Sequence, residues 1–318
     1  MDYSEFAFLS SPQNSGEHET PHEISTLKGY EGSPLTIQNL SKKQLGFNIL
    51  LLALLSIASG WFGILLKSLT GQTNLALSVF LALPPMGVLV LNLIYKNSDI
   101  NPGFVMNLRK NGVSYALSLL LIPAMVTLVI LVGKLSGMIS IDGLVNQGMS
   151  KFIGAVMLLF FSDFIKNCLE EFTWRGFFTQ HFKSLGIPDL ANHFVTGVIW
   201  SLWHLPYWLF LLDQTTRAAV STLDTGAFIL MGSLFLLALS FVFGEIRLLS
   251  RSTWPVVLLH TSLNAITITL LLNKFVSIKP SAEIWFSPGG NSVMFILMLV
   301  IVGIVLNRLR TKKSSAAA

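Results

Sequence analysis

The chain has 318 residues, 52% hydrophobic and only 12% charged, with a mean hydropathy of +0.66 and a formal net charge of +5. A soluble domain carries about 25% charged residues, so this composition excludes an ordinary soluble protein and indicates a polytopic membrane protein. The single cysteine, Cys168, excludes an internal disulfide, and no nucleic-acid motif accompanies the modest positive charge, so nucleic acid is not an expected partner.

Residues 1–44 are polar, rich in Ser, Glu and Gly, and contain Pro12, Pro21 and Pro34. Such a segment is expected to be largely disordered. Its start has neither the basic region nor the early apolar run of a secretory signal. A spanning helix needs about 20 mostly apolar residues. Eight segments qualify, roughly 45–66, 75–95, 112–133, 152–181, 190–211, 226–247, 254–272 and 291–307. The expected fold class is therefore all-α, a polytopic membrane bundle of about eight transmembrane helices. Four regions are expected: a polar tail (1–44), N-terminal transmembrane helices (45–150), a core rich in intramembrane polar groups (151–272), and a final helix with a basic tail (273–318).

Two of these segments are irregular. The second carries Pro84-Pro85, which predicts a kink. The fourth is too long for a simple span, so its end, Trp174 to Phe182, is expected to leave the core or to run along the interface. The last residues, Arg308 to Ala318, are basic and then small, and read as a solvated end.

Orientation follows from the basic residues. With the N-terminus inside, the inner segments hold 13 Lys and Arg and the outer loops hold 6, which favours both termini inside. Helix four then runs inward and helices five and seven run outward. At ~1.5 Å per residue, Glu170, His204, His260 and Asn264 all fall on the order of 10–20 Å from the inner ends of their helices. Three separate helices thus bring polar groups to one depth, as a shared site predicts.

Polar groups in hydrocarbon are costly, and each needs a partner or a task. In Glu170-Glu171-Phe172-Thr173-Trp174-Arg175, Glu171 and Arg175 stand four apart on one face. A bidentate carboxylate–guanidinium pair is expected there. Glu170 points about 100° away, on a face shared with Asp163, Lys166 and Asn167. That stripe argues for a water-filled cavity. His204 has Trp200 one turn before it, able to pack on the imidazole, and Pro206 just after it, which loosens the helix around Leu202. His260 and Asn264 share a face that Thr267 continues, after a helix start at Ser252 or Thr253 with Pro255. Such a pair can ligate a metal or donate to an oxyanion. For each group the alternative is structural: a buried ion-pair network, or hydrogen bonds that join helices.

Other polar residues carry less. His181 and His193 flank an inner loop and are expected at the interface, and Glu245 is expected near Arg247 and the inner surface. Cys168 is read as a packing residue, because nothing near it in sequence makes a thiolate. Trp203, Trp208 and Trp254 read as core or belt aromatics. The chain has no His-Glu-x-x-His zinc motif, no Gly-x-Ser-x-Gly nucleophile turn and no Gly-x-Gly-Asp of an aspartyl intramembrane protease.

The order EExxxR, aromatic-xxx-His, HxxxN on successive membrane helices resembles the CAAX protease and bacteriocin-processing family, also called the ABI family, whose best-known members are type II CAAX prenyl endopeptidases. Ser252 to His260, with Trp254-Pro255 inside it, is also typical. The resemblance covers about 152–272. One departure is Trp200, where the pattern commonly has Phe. The resemblance implies a membrane-embedded endopeptidase with Glu170, His204, His260 and Asn264 as the catalytic set, supported by Glu171 and Arg175. Two mechanisms fit it. In one, Glu170 and His204 activate water while His260 and Asn264 stabilise the oxyanion. In the other, His204, His260 and a carboxylate such as Glu170 hold Zn²⁺ or another divalent metal, with Glu170 as general base.

The implied substrate is a lipid-anchored or membrane-embedded peptide, entering from membrane lipid near the inner face. The implied location is the cell membrane, with both termini cytoplasmic. Prenylated CAAX proteins, peptide maturation and bacteriocin immunity are the family's roles. Two alternatives remain beside the enzyme: a non-catalytic scaffold or regulator of the same fold, and a small transporter that uses the polar cavity. The sequence has no paired discontinuous helices to favour transport.

Overall fold

The computed structural model describes residues 35–95, 101–289 and 292–317, with side chains to residue 312. Most of the expected polar tail, residues 1–34 with all three prolines, lies outside the described residues, as does Lys96. Within the described part of that tail, Ile37 is buried and its backbone N–H donates to Ser184 Oγ at 2.7 Å.

The described chain is overwhelmingly helical. In order it forms α1 (Lys42–Thr70), α2 (Thr73–Ile94), α3 (Leu108–Leu135), α4 (Asp142–Gln147), α5 (Met149–Glu171), α6 (Thr179–Ser184), α7 (Asp189–Pro206), α8 (Gln214–Val220), α9 (Thr225–Ser250), α10 (Trp254–Leu272), α11 (Glu283–Phe286) and α12 (Val293–Ala317). The short strands β1 (Ile139–Ser140) and β2 (Ser277–Ile278) pair antiparallel and tie the loop after α3 to the loop after α10. Eight helical segments among the described residues are long and apolar enough to cross a membrane, matching the eight read from the sequence. The protein is a multi-pass integral membrane protein with an all-α bundle fold.

Local chemistry sets the ends of these helices. Ser41 caps α1 in a reciprocal box with Gln44, satisfying two otherwise orphaned donors. Gly71, at φ 72°, ends it in the left-handed region, which costs a residue without Cβ nothing. Asn107 caps α3 and Asp224 caps α9. The second span runs helical through Pro84-Pro85 as one element.

The core forms where helices pack around α7, α9 and α10. Helix α1 lies against α2 and α7, α7 against α9, α9 against α12, and α10 against α3 and α5. At Gly60 a Cβ would stand 2.2 Å from Pro206 Cγ, so the glycine is what lets α1 reach the end of α7. Large apolar residues on the outward faces, such as Leu158, Phe161 and Ile165 on α5, are exposed, as lipid contact requires.

Burial and pairing at the span ends are specific. The end of the fourth span is packed inside the protein, with Thr173 through Phe182 buried, whereas the first half of α5 is the exposed part. A π-helical stretch, Phe172–Phe178, joins α5 to α6. His181 and His193, expected at the interface, are buried within the protein. His181 stacks on Phe177 at 3.6 Å and His193 meets Glu245 at 3.2 Å, both buried. Glu245 is paired with His193, Asn307 and Arg310, while Arg247 donates instead to the Arg175 carbonyl. The basic end is not wholly solvated: α12 runs on to Ala317, and Arg310 pairs with Glu245 at 2.7 Å and Asp189 at 2.8 Å.

Candidate active site

The site is built from the end of α5, the second half of α7 and the middle of α10. These helices bring Glu170, His204, His260 and Asn264 to one cavity of about 500 Å³ inside the bundle. The remaining walls are mainly apolar, with Leu77, Phe80, Trp208, Phe235, Leu263 and Leu271 among them. Lys166, Trp200 and Thr267 complete the polar side. Glu171 and Arg175 do not line the cavity; they are fully buried beside it.

Glu171 is the junction of the buried layer. Its Oε1 accepts from His260 Nδ1 at 2.8 Å, and Arg175 Nη1 lies 3.2 Å from Oε1 and 3.1 Å from Oε2. The expected bidentate fork is therefore not formed. Arg175 Nη1 donates to Oε1, while Oε2 and Nη2 have no hydrogen-bond partner among the described residues. The guanidinium is instead held between aromatic faces, 4.4 Å from the Trp200 ring and 4.7 Å from the Phe243 ring. Cation–π attraction at a desolvated site offsets part of the missing hydrogen bond.

Glu170, pointing the other way, accepts from the Trp200 indole N–H, Nε1 to Oε2, at 3.1 Å. Its Oε1 has Lys166 Nζ at 3.7 Å, and Lys166 is also 3.7 Å from Asp163. Of the predicted stripe, Lys166 and Glu170 stand on the cavity wall, and Asn167 bonds to Thr261 and Asn264 on α10.

The two imidazoles have defined tautomers. His204 Nδ1 lies 3.0 Å from the Trp200 carbonyl, which only accepts, so Nδ1 carries the proton and Nε2 of the neutral ring carries the lone pair. His260 Nδ1 is bound to the Glu171 carboxylate in the same sense. Aromatic rings fix both planes. His204 meets Trp203 edge-on at 4.7 Å and stacks on Trp208 at 5.3 Å; His260 meets Trp200 edge-on at 5.5 Å. Trp200 also reaches His204, at 5.8 Å, as the sequence spacing implies.

Asn264 is oriented by a relay that the sequence reading did not connect. Its Nδ2 donates to Asn167 Oδ1 at 3.2 Å, and Asn167 Nδ2 donates to Thr261 Oγ1 at 3.1 Å. Thr261 Oγ1 in turn donates to the Val257 carbonyl at 2.7 Å. This fixes which end of the Asn264 amide is the nitrogen and leaves one of its N–H bonds uncommitted. The signal available in sequence was Asn167 itself, a fully buried amide one turn before Glu170. Pro206 does not break α7 at Leu202. The irregularity follows it, as a π-helical turn over Tyr207–Leu211. Both π-helical segments lie within a turn of a candidate residue, Glu171 in one case and His204 in the other, and π-bulges are frequent at functional sites.

The donor set Glu170, His204 and His260 has the chemical types a metal takes, with both Nδ1 atoms tied by outer partners. Its geometry does not fit: among the described residues no group of three or more His, Cys, Asp or Glu side chains is arranged to hold an ion.

Three helices, two oriented imidazoles and a buried Glu–Arg pair carry the EExxxR, aromatic-xxx-His and HxxxN motifs in one place. Residues 152–266 match the Rce1-like type II CAAX prenyl endopeptidase family. This is the family the motifs resemble, and the matched Rce1-like segment begins in α5 and ends within α10, containing every residue of the candidate set. No curated protein matches the chain.

Proposed function

We propose that the protein is an intramembrane endopeptidase that hydrolyses a peptide bond of a lipid-anchored or membrane-embedded substrate. The observation that carries this reading is the convergence of Glu170, His204, His260 and Asn264 on one cavity with largely apolar walls. Apolar walls suit a lipid chain or an apolar peptide segment, and the four polar groups suit hydrolysis of the bond it carries into the site. The match to CAAX prenyl endopeptidases supports prenylated proteins as the substrate class. Basic-residue bias supports a cell-membrane protein with both termini cytoplasmic, and cleavage near the inner face.

In the proposed reaction Glu170 takes a proton from a water as its oxygen attacks the carbonyl carbon. The Nε2 lone pair of His204 accepts a hydrogen bond from that water and orients it. The new oxyanion receives the uncommitted N–H of Asn264 and, when His260 is protonated against Glu171, its Nε2–H. The C–N bond then breaks, and the proton held by Glu170 passes to the leaving nitrogen. No step passes through a metal. The buried pair of Glu171 and Arg175 holds the plane of the His260 ring through Nδ1.

The test is a comparison of new peptide termini in membranes carrying wild-type protein or Glu170→Gln at matched expression. Gln keeps the shape and removes the base. Products that vanish with Gln support the protease; identical termini transfer the site to a scaffold or regulator.

A further inference from the structure

We propose that Trp200 is a positioning residue for Glu170: its indole N–H holds one carboxylate oxygen so that the other is presented to water. This rests on the endopeptidase reading above and adds a residue that acts through the general base.

The geometry is specific. The Trp200 side chain is buried, and its N–H has one hydrogen bond, to Glu170 Oε2 at 3.1 Å. A buried indole N–H needs an acceptor, and a carboxylate is the strongest a side chain offers. The bond spans from α7 to α5, so it also fixes the spacing of the helices that carry His204 and Glu170. The same ring also meets both histidines and the buried guanidinium. It lies edge-on to His204 at 5.8 Å and to His260 at 5.5 Å, and the Arg175 guanidinium sits over its face at 4.4 Å.

The neighbouring tryptophans show that this is not a general property of indoles here. Trp203 donates to Ser59 Oγ and the Phe80 carbonyl, and Trp174 has no partner for its N–H among the described residues. Of the three, Trp200 alone donates to a carboxylate. With Oε2 occupied, rotation about the last bond of Glu170 is restrained. Oε1, with the Lys166 ammonium at 3.7 Å, is the oxygen left to accept a proton. A carboxylate free to rotate would spend part of its time with neither oxygen aimed at the water, which lowers kcat while leaving substrate binding intact.

Two variants separate the N–H from the ring. Trp200→Phe keeps an aromatic face under Arg175 and removes the donor. Replacement of Trp200 by 3-benzothienylalanine keeps the bicyclic shape and removes only the N–H. Purified full-length wild type and both variants in liposomes are given a farnesylated CAAX reporter peptide. The expected result is a kcat lower by about 10- to 100-fold in both variants, the range for a hydrogen bond to a charged group, with KM within about twofold. A kcat in the benzothienyl variant equal to wild type overturns the proposal.

An activity-independent arm uses indole-¹⁵N-labelled protein. The Trp200 N–H resonance, assigned by its loss in Trp200→Phe, is expected to move in Glu170→Gln. An unmoved resonance overturns the contact. A moved resonance in a wild type that cleaves nothing upholds the contact, rejects the endopeptidase reading, and overturns Trp200's role in positioning a general base.

Discussion

His260 on α10 binds the carboxylate of Glu171 on α5 across 2.8 Å, and the same carboxylate is the sole ionic partner of Arg175 among the described residues. One buried acid thus serves a structural charge and a ring on the cavity wall at once. The adjacent Glu170 belongs to a different set, with Trp200 and Lys166. Two neighbouring carboxylates therefore have different tasks, and their substitutions separate.

Glu171→Gln strands the buried Arg175 charge, which costs about 3–5 kcal/mol when one partner of a buried pair is removed. A thermal midpoint several degrees below wild type is expected in detergent-solubilised protein, together with lost activity. Glu170→Gln still offers Trp200 an acceptor, and Lys166, 36% exposed, has other solvation. Its thermal midpoint is expected within a degree or two of wild type, with activity lost. Equal thermal losses for the two variants would contradict the division of labour.

Asn264 and Asn167 form the second separable pair. Asn264→Ala removes the proposed oxyanion donor, and kcat is expected to fall by about 10²- to 10³-fold, as for other oxyanion-hole donors. Asn167→Leu leaves Asn264 in place and removes the acceptor that fixes its amide. A smaller loss in kcat, on the order of tenfold, is expected, since one orienting hydrogen bond is worth about 1 kcal/mol. Single-turnover cleavage of the farnesylated reporter measures both.

Packing at the mouth of α7 is tested at Gly60. Gly60→Ala places a Cβ where Pro206 Cγ already stands, and neither the ring nor the helix yields easily. A loss of about 1–3 kcal/mol in stability is expected from overpacking. Gly46→Ala, on the same helix with nothing within 4 Å of the new Cβ, is the control and is expected to gain about 0.5–1 kcal/mol. Denaturation in detergent reads both.

Metal dependence has a direct measurement. With water activated by Glu170, kcat of wild type is expected to survive dialysis against a strong chelator unchanged. Lost activity that returns on addition of Zn²⁺ would instead assign Glu170, His204 and His260 to an ion, and would require the three to move together from the arrangement seen here.

The site was legible to different degrees. Glu170, His204, His260 and Asn264 stood out because each is a polar group that hydrocarbon penalises, and the helical rise put them at one depth. The cavity they share follows from that reasoning. Trp200 did not stand out, because an aromatic beside a histidine reads as packing; the direction of its N–H depends on the rotation of α7 against α5. The buried state of His181 and His193 was missed for a related reason. A hydropathy reading says where along a span a polar residue stands and not which neighbours bury it, as Phe177 and Glu245 do here.

The sequence by itself determined the class of molecule: eight apolar stretches of spanning length admit only a membrane helix bundle, because lipid forces every backbone group to be paired within its own segment. It also singled out the candidate residues, since periodicity fixes the face a side chain takes on its own helix. Which helices touch, and so which acid meets which histidine, was decided by tertiary structure alone. Glu170 and Glu171 are adjacent in sequence and alike in chemistry. Only the packing of α7 against one face of that helix end and α10 against another gives the first to Trp200 and the second to His260.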